Sequence, residues 1–174
     1  MHRVLTETLN NNYNAQQHWT SKYRTRANFP RFYFNGNETP SFKFKDVGAS
    51  FTQLLAKEDF PGAKDWVKSP PTYHIDVKST RGDIHAQFTI TPAQFQRARD
   101  FSVMMQQMKG NADSIPTDVY ILARISDVKS TPTNEEGDKS NNSKIAFLVD
   151  PWEYYHADKL LLKHTGKMIG TIIS

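Results

Sequence analysis

Three polar residues that differ in chemistry alternate along one short stretch of the sequence: His74, Asp76 and Lys78. The stretch covers residues 73–80, is rich in β-branched and aromatic residues, and is bounded by Ser-Pro-Pro and Arg-Gly-Asp turn signals, so it is predicted to form a β-strand. Side chains two residues apart on a strand share one face, with Cα atoms roughly 7 Å apart. A carboxylate and an ammonium in this arrangement can converge on one small object, such as a metal-bound water beside a phosphate.

The same spacing has a simpler interpretation, an ion pair between Asp76 and Lys78 on a solvated strand face. Short motifs give many chance matches, so the spacing alone favours the ion pair. A single histidine on a strand, such as His74, is more often a surface or supporting residue than a metal ligand. A catalytic interpretation therefore depends on the surrounding sequence.

The elements on either side of this strand are predicted from hydrophobic periodicity. Residues 46–59 are predicted to form a helix, since Phe51, Leu54 and Leu55 recur at helical spacing and a Phe-Pro-Gly sequence follows. Alternating apolar residues over 84–90 predict a second strand, which the tight turn before it folds back as the hairpin partner of the first. These patterns predict a helix followed by a hairpin.

The second half of the sequence continues the alternation of helices and strands. Thr91, Pro92 and Gln94 form a capping box with proline at the first helical position, which predicts the start of a helix that runs to Gly110. A nearly continuous apolar run over 118–125 predicts a strand covered on both faces. The order of elements predicts a mixed α/β sheet flanked by helices. Further apolar runs occur at residues 144–149, 159–162 and 168–173. The first predicts another strand of the sheet, and the last two are compatible with either short strands or a helix fragment.

The Asp-x-Lys strand resembles the catalytic strand of the PD-(D/E)xK phosphodiesterase superfamily. The surrounding sequence is similar to one branch, the domain of unknown function at the C-terminus of the plant protein NO VEIN and of its fungal and bacterial relatives. That branch carries an apolar-acid-Val-Lys-Ser-Thr strand, a Phe-x-(Leu/Ile)-(Ser/Thr)-Pro-x-(Glu/Gln) helix start, a hydrophobic strand and an Asp-Pro-Trp-like segment. The matching segments occur in the same order within about residues 45–165, at 75–80, 88–94, 118–125 and 150–152.

This resemblance implies an α/β fold with a restriction-endonuclease-like core, in which a central mixed sheet is flanked by helices. It implies hydrolysis of nucleic acid phosphodiesters with Mg²⁺ or Mn²⁺, with Asp76 as a metal ligand and Lys78 as the residue that orients the attacking water. A second acid is then needed, and Asp46 and Asp65 are the candidates, with Asp46 preferred. Gln94 is expected either to reach the pocket or only to close its capping box.

The sequence departs from the family pattern just before the Asp76 strand. Only residues 63–71 separate the predicted helix from that strand, which removes the usual place of the first catalytic acid, and one acid alone binds Mg²⁺ weakly. The alternative to a nuclease is therefore a catalytically inactive module that binds nucleic acid or a protein and retains the nuclease fold. Because family members often carry this domain behind an ATPase-like region, the chain is also expected to be part of a larger protein or complex.

Basic residues are concentrated at the start of the chain. The net charge is +4, and residues 1–45 hold seven of the lysines and arginines but only two acids. This segment also contains many aromatic residues, and the combination suits phosphate contact and base stacking. The alternative is an arm that only packs on the core. The residues expected to contact nucleic acid are Lys22, Arg24, Arg26 and Arg31.

Length and composition set further bounds. A chain of 174 residues is long enough for one domain with a single core, predicted over residues 45–174 with a polar loop at 127–143 and a basic N-terminal extension over 1–44. The absence of cysteine excludes disulfides and thiolate zinc sites. The sequence has neither a signal-peptide core nor an apolar run of the ~20 residues that a spanning helix needs. We therefore expect an intracellular protein, nuclear or cytoplasmic, without a membrane partner.

Overall fold

The computed structural model describes residues 1–33, 38–110, 114–128, 143–164 and 168–173. The helices within these residues are α1 (His2–Leu9), α2 (Ala15–His18), α3 (Ser50–Lys57), α4 (Ala63–Trp66), α5 (Pro92–Asp100), α6 (Val103–Lys109) and α7 (Pro151–His156), with short 3₁₀ segments at Asn10–Asn12 and Lys22–Ala27. The strands are β1 (Phe42–Lys45), β2 (Thr72–Ser79), β3 (Phe88–Ile90), β4 (Asp118–Ser126), β5 (Lys144–Val149), β6 (Leu160–His164) and β7 (Met168–Ile172).

The central sheet has four strands in the order β1-β2-β4-β5. β2 is antiparallel to β1 and parallel to β4, and β4 is antiparallel to β5. The strands predicted at 73–80 and 118–125 are therefore confirmed, as the two central strands of a mixed sheet with flanking helices. The apolar run of β4 is buried from Val119 to Arg124, because both faces of this strand are covered.

A second sheet has three strands in the order β3-β7-β6, so the last two apolar runs of the sequence form strands. The predicted hairpin between β2 and residues 84–90 is wrong. Only β3 is extended in that segment, and it pairs with β7, because both edges of β2 are taken by β1 and β4. β3 and β7 approach closely at Gly170, where a Cβ atom would lie 2.9 Å from Cζ of Phe88.

The helix predicted from Thr91 to Gly110 is interrupted. α5 begins with the predicted capping box but ends early, and α6 starts after Ser102. The Asp150 carboxylate accepts hydrogen bonds from the Val103 N–H (2.8 Å) and the Ser102 hydroxyl (3.2 Å). The start of α6 is therefore capped by a residue that follows β5, and a helical stripe in the sequence does not reveal such a distant partner.

Two hydrophobic clusters cover the two faces of the central sheet. Tyr73 and Ile75 of β2 pack in the first cluster, together with Leu5 and Leu9 of α1, so the predicted N-terminal extension contributes to the core. The second cluster contains Tyr120 of β4 and residues of the three-stranded sheet. Since side chains alternate along β2, its polar residues Asp76 and Lys78 lie on the side of the second cluster.

Three other expectations have simpler outcomes. The helix predicted over 46–59 is the shorter α3. Of the predicted polar loop at 127–143, residues 129–142 lie outside the described part of the chain. In the described ranges, no helix combines the length and hydropathy needed to cross a bilayer.

Candidate functional site

The polar face of β2 lies against helix α5, which follows β3 in the chain. Asp76 contacts Arg97 and Lys78 contacts Gln94, both on α5, so Asp76 and Lys78 project from one face of one internal strand, as the alternation predicts. α5 is held in this position because its Ala98 packs in the second hydrophobic cluster. The candidate site is therefore built from the middle of a sheet and the first turns of one helix.

Every oxygen of the Asp76 carboxylate is engaged. Its Oδ2 accepts hydrogen bonds from Arg97 Nη2 (2.9 Å) and the Tyr120 hydroxyl (2.8 Å). Its Oδ1 accepts from the backbone N–H of Ser41 (3.0 Å) and from the Ser41 hydroxyl (3.3 Å). The residue is only 3% exposed. A carboxylate with four donors and a guanidinium counter-ion is a satisfied buried group, because its charge and its lone pairs are both compensated.

Arg97 also contacts a second acid, Glu38. Arg97 Nη1 donates to the main-chain oxygen of Glu38 (2.8 Å), and Nη2 lies 3.6 Å from its Oε1. The Thr91 hydroxyl, at the N-terminus of α5, donates to the same carboxylate. Glu38 is therefore a carboxylate that shares a cation with Asp76. Burial raises the pKa of the neighbouring Tyr120 well above its ordinary value, and the negative charge of Asp76 adds to this shift while Arg97 opposes it.

Lys78 is half-buried beside this ion pair. Its Nζ donates hydrogen bonds to Gln94 Oε1 (2.6 Å) and to the main-chain oxygen of Thr89. Burial lowers the pKa of Lys78, and the carboxylates of Asp76 and Glu38 oppose that shift. An ammonium group has three N–H bonds, so a third donor remains for a ligand beyond the two contacts described.

Gln94 closes the predicted capping box and also contacts Lys78. The Gln94 Oε1 atom accepts a hydrogen bond from the backbone N–H of Thr91 (3.1 Å). The backbone N–H of Gln94 donates to the Thr91 hydroxyl (3.2 Å), and the two bonds together close the capping box. The same Oε1 accepts from Lys78. The helix cap therefore fixes the side chain that orients the lysine.

The two acids proposed as partners of Asp76 lie elsewhere. Asp46 is buried at the end of β1, where its Oδ2 accepts from the N–H and the hydroxyl of Thr52, both at 2.7 Å. The Thr52 hydroxyl is also 2.9 Å from the Tyr73 hydroxyl, which belongs to the opposite face of β2. Asp65 is an exposed residue of α4. The structure thus brings Lys78 and Gln94 to Asp76, but neither Asp46 nor Asp65.

The residues around Asp76 do not fit Mg²⁺ or Mn²⁺ as they stand. Among the described residues, no group of three or more histidines and acids is arranged to hold a metal ion. Mg²⁺ needs open oxygen ligands in near-octahedral geometry, whereas the oxygens of Asp76 are occupied by a guanidinium and three other donors. Ser41, the residue before β1, faces Asp76 with a hydroxyl and an N–H, which are donors and not metal ligands of the carboxylate type.

His74 has a supporting role, as the simpler interpretation predicts. Its Nε2 is 2.7 Å from Oδ1 of Asp118, the first residue of β4, and its ring stacks on Phe101 with centroids 4.2 Å apart. Burial lowers the pKa of His74, and the Asp118 carboxylate opposes the shift. The histidine therefore links β2, β4 and the connection between α5 and α6.

Three of the four basic residues predicted to contact nucleic acid are exposed: Lys22, Arg26 and Arg31. Lys22 Nζ lies 5.3 Å from the centroid of the Tyr23 ring, and the Arg26 guanidinium lies 4.9 Å from it. The Tyr23 ring is itself 55% exposed. Two cations and an aromatic face are thus presented together on the surface of the N-terminal arm, by which we mean residues 1–33.

Arg24 differs from these three, because its side chain is buried. Its Nη1 donates to the main-chain oxygens of Gln16 (3.0 Å) and Trp19 (2.7 Å). A guanidinium that is used in this way has no surface for a phosphate. For this residue the structure supports the alternative interpretation, in which the arm packs on the core.

The N-terminal arm lies beside the Asp76 site. The backbone N–H of Thr20 donates to the main-chain oxygen of Ser41 (3.0 Å), and the N–H of Ser41 donates to Asp76. Trp19 forms a β-bridge with Phe42 and stacks on its ring at 5.5 Å. Sequence reasoning identified the arm but did not connect it to this strand.

Comparisons with known proteins add no relative: no family model, curated protein or solved structure matches the chain. Chemically, the site offers a half-buried ammonium at Lys78 and a neutralised pair at Asp76 and Arg97. Its two carboxylates, Asp76 and Glu38, both lie beside Arg97, and among the described residues no group of three or more acids or histidines could hold a metal ion. Such an arrangement is suited to contact with an anion and less suited to holding a divalent cation.

Proposed function

We propose that this domain binds nucleic acid through its phosphate backbone without cutting it, and that its fold is a restriction-endonuclease-like core that serves as a scaffold. The observation that carries the proposal is the contact between Arg97 Nη2 and Asp76 Oδ2 at 2.9 Å. The Arg97 guanidinium forms an ion pair with the carboxylate that a metal-dependent nuclease of the resembled superfamily would use as a metal ligand.

The energetics of the pair support a stable, non-catalytic arrangement. The side chains of Arg97 and Asp76 are 12% and 4% exposed. Removing one partner of a buried ion pair costs roughly 3–5 kcal/mol, because the other charge is left uncompensated. A metal ion would have to displace Arg97 from Asp76 before it could bind there, and Mg²⁺ also gives up its own waters reluctantly.

The N-terminal arm supplies the surface for nucleic acid. Lys22, Arg26 and Arg31 are exposed cations, and contacts of such residues with phosphates release counterions. Tyr23 and Tyr33 are 55% and 85% exposed, so both rings are available to stack on unpaired bases. We therefore expect single-stranded nucleic acid to bind at least as tightly as a duplex.

A metal-dependent nuclease using Mg²⁺ or Mn²⁺ remains the second candidate, and one observation favours it. Glu38 Oε1 lies 3.6 Å from the same Arg97 nitrogen that contacts Asp76, so two carboxylates border one position near Lys78. Cleavage by this chain would require Arg97 to leave that position.

One experiment on the full chain separates the candidates. Labelled single- and double-stranded DNA and RNA are assayed for binding by fluorescence anisotropy and for cleavage on gels, with EDTA, Mg²⁺ or Mn²⁺. The proposal expects salt-sensitive binding that is equal in EDTA and Mg²⁺, and intact substrates throughout. Metal-dependent cleavage that Asp76→Asn abolishes would establish the nuclease instead. Absence of binding to all four substrates at low salt would leave a protein-interaction module as the remaining interpretation.

A matched pair of triple variants tests the interface. The arm variant carries Lys22→Gln, Arg26→Gln and Arg31→Gln, and its binding is expected to fall at least tenfold. The control carries the same charge change at exposed lysines outside the arm, with Lys57→Gln, Lys109→Gln and Lys144→Gln. Equal losses in the two variants would mean that affinity follows net charge alone and not the arm.

A further inference from the structure

A wide cleft lies on a different part of the molecule from the Asp76 site. It has a volume of about 1060 Å³ and is bordered by the α3–α4 connection, α4, α6 and α7. None of the residues Glu38, Asp76, Lys78, Gln94 and Arg97 lines it. Its apolar wall is formed by Phe60, Trp66, Val103, Met104, Ile115 and Tyr154.

The charge of the cleft is opposite to that of the whole chain. Its acids outnumber its bases, although the protein carries a net charge of +4. One acid, Asp59, is offset by a surface ion pair with Lys64 at 2.9 Å. The remaining acids favour a positively charged ligand by charge complementarity. The ionisable residues that line the cleft are Glu58, Asp59, Asp65, Asp150 and Glu153, with Lys68 and Lys159.

A second, independent observation concerns Asp150, which lines the cleft and is only 3% exposed. Its Oδ2 caps α6 through Ser102 and Val103. Its Oδ1 is buried and has no hydrogen-bond partner among the described residues. A buried carboxylate oxygen without a donor is destabilising, so a cationic group that reached Asp150 would be favoured there.

We propose that this cleft binds a lysine- or arginine-bearing segment of a partner protein, with the cation directed at the exposed Glu153 and towards Asp150, and the flanking residues packed on Met104 and Tyr154. At about 1060 Å³, the cleft lies at the upper limit of the roughly 300–1000 Å³ of most small-molecule sites, so it has room for an extended segment. An aromatic wall beside a buried carboxylate also suits a guanidinium, which stacks on rings and forms two hydrogen bonds with one carboxylate.

A selection experiment on the full chain tests the proposal. A random 12-residue peptide library is displayed and selected on the wild-type protein, and enriched peptides are resynthesised with a fluorescent label. We expect enrichment of arginine or lysine next to an apolar residue. Replacing the basic residues of an enriched peptide by glutamine is expected to weaken its binding at least tenfold. Enrichment of peptides without basic residues, or no enrichment, would overturn the proposal.

Matched variants identify the site of binding. Glu153→Gln removes an exposed charge of the cleft and is expected to weaken peptide binding about tenfold, whereas Glu7→Gln, an exposed acid of α1 outside the cleft, is expected to leave it unchanged. Asp150→Asn is expected to weaken binding further, and its folding is checked by circular dichroism. Peptide affinity that is equal in wild type, Glu153→Gln and Asp150→Asn would reject the cleft. Nucleic acid binding is measured on the same variants, so the outcome does not depend on the function proposed above.

Discussion

Arg97 and Asp76 form a buried ion pair that joins helix α5 to the central strand β2, with Nη2 2.9 Å from Oδ2. Each member of the pair has a further hydrogen bond: Asp76 accepts one from the Tyr120 hydroxyl, and Arg97 donates one to the main-chain oxygen of Glu38. Because α5 also carries Gln94, which accepts a hydrogen bond from Lys78, two polar contacts join this helix to the same face of β2.

The first prediction is that Arg97→Met destabilises the protein by about 3 kcal/mol, since it leaves the Asp76 carboxylate buried without a counter-ion. The free energy of unfolding is measured by urea denaturation. Arg99→Met is the control on the same helix, because the Arg99 ion pair with Asp100 is largely exposed and contributes about 0–1 kcal/mol. Similar losses in the two variants would contradict the importance assigned to the buried pair.

The second prediction concerns the salt dependence of nucleic acid binding. The slope of log K against log salt concentration is expected to become shallower by about 2–3 in the arm variant at Lys22, Arg26 and Arg31, because each phosphate contact contributes about 0.7–0.9 to the slope. Anisotropy titrations at several salt concentrations provide the slopes. A slope that matches that of wild type would show that these residues do not contact phosphates.

The third prediction separates Arg24 from its exposed neighbours. Arg24→Met is expected to lower the free energy of unfolding by about 2 kcal/mol, since two buried hydrogen bonds to main-chain oxygens are lost. Arg26→Met is the matched control and is expected to change it by less than about 0.5 kcal/mol, as is usual for surface positions. Thermal and urea unfolding of both variants provide the test, and a stable Arg24→Met protein would contradict it.

The fourth prediction is a pH dependence due to Asp150. Burial raises the pKa of Asp150 to about 6, although the Val103 N–H and the Ser102 hydroxyl oppose the shift. Because this pKa lies above the value of about 4 in the unfolded chain, the folded state binds the proton more tightly. The contribution of Asp150 to the free energy of unfolding is therefore greatest below pH 4 and is lost as the pH rises through 6.

This dependence is measured against Asp150→Asn, which does not titrate. The free energy of unfolding of wild type minus that of the variant is expected to fall by about 3 kcal/mol at most between pH 4 and pH 7. Urea denaturation of both proteins at four pH values gives the difference. A difference that stays constant with pH would mean that Asp150 has an ordinary pKa.

The sequence was sufficient to predict elements whose determinants are local. The strand at 73–80 and the continuous apolar strand at 118–125 follow from side-chain pattern, and the capping box at Thr91 and Gln94 follows from four consecutive residues. Partner choice is not local. Alternation at 84–90 indicated a strand, but the pairing of β3 with β7 depends on residues near the other end of the chain.

The candidate site was predictable to a similar extent. Arg97 follows Gln94 by three residues, so the helical period already indicates that both lie on one face of α5. The position of Arg97 one helical turn after Gln94 was therefore sufficient to predict that Arg97 also faces β2. Glu38 gave none, since it precedes β1 in a segment without periodicity and meets Arg97 only through the tertiary fold.

The parallel pairing of β2 with β4 has a consequence for the order of folding. The two strands are separated in the chain by β3, α5 and α6, so β2 can reach its second neighbour only after a long loop has closed. During synthesis, β1, α3, α4 and β2 emerge first, so β2 can pair with β1 and pack on α1 and α3 while its other edge stays unpaired. Nascent chains that end before residue 118 would therefore leave that edge of β2 open to pairing with another chain, and the ribosome-bound chain should first resist proteolysis when β4 has emerged.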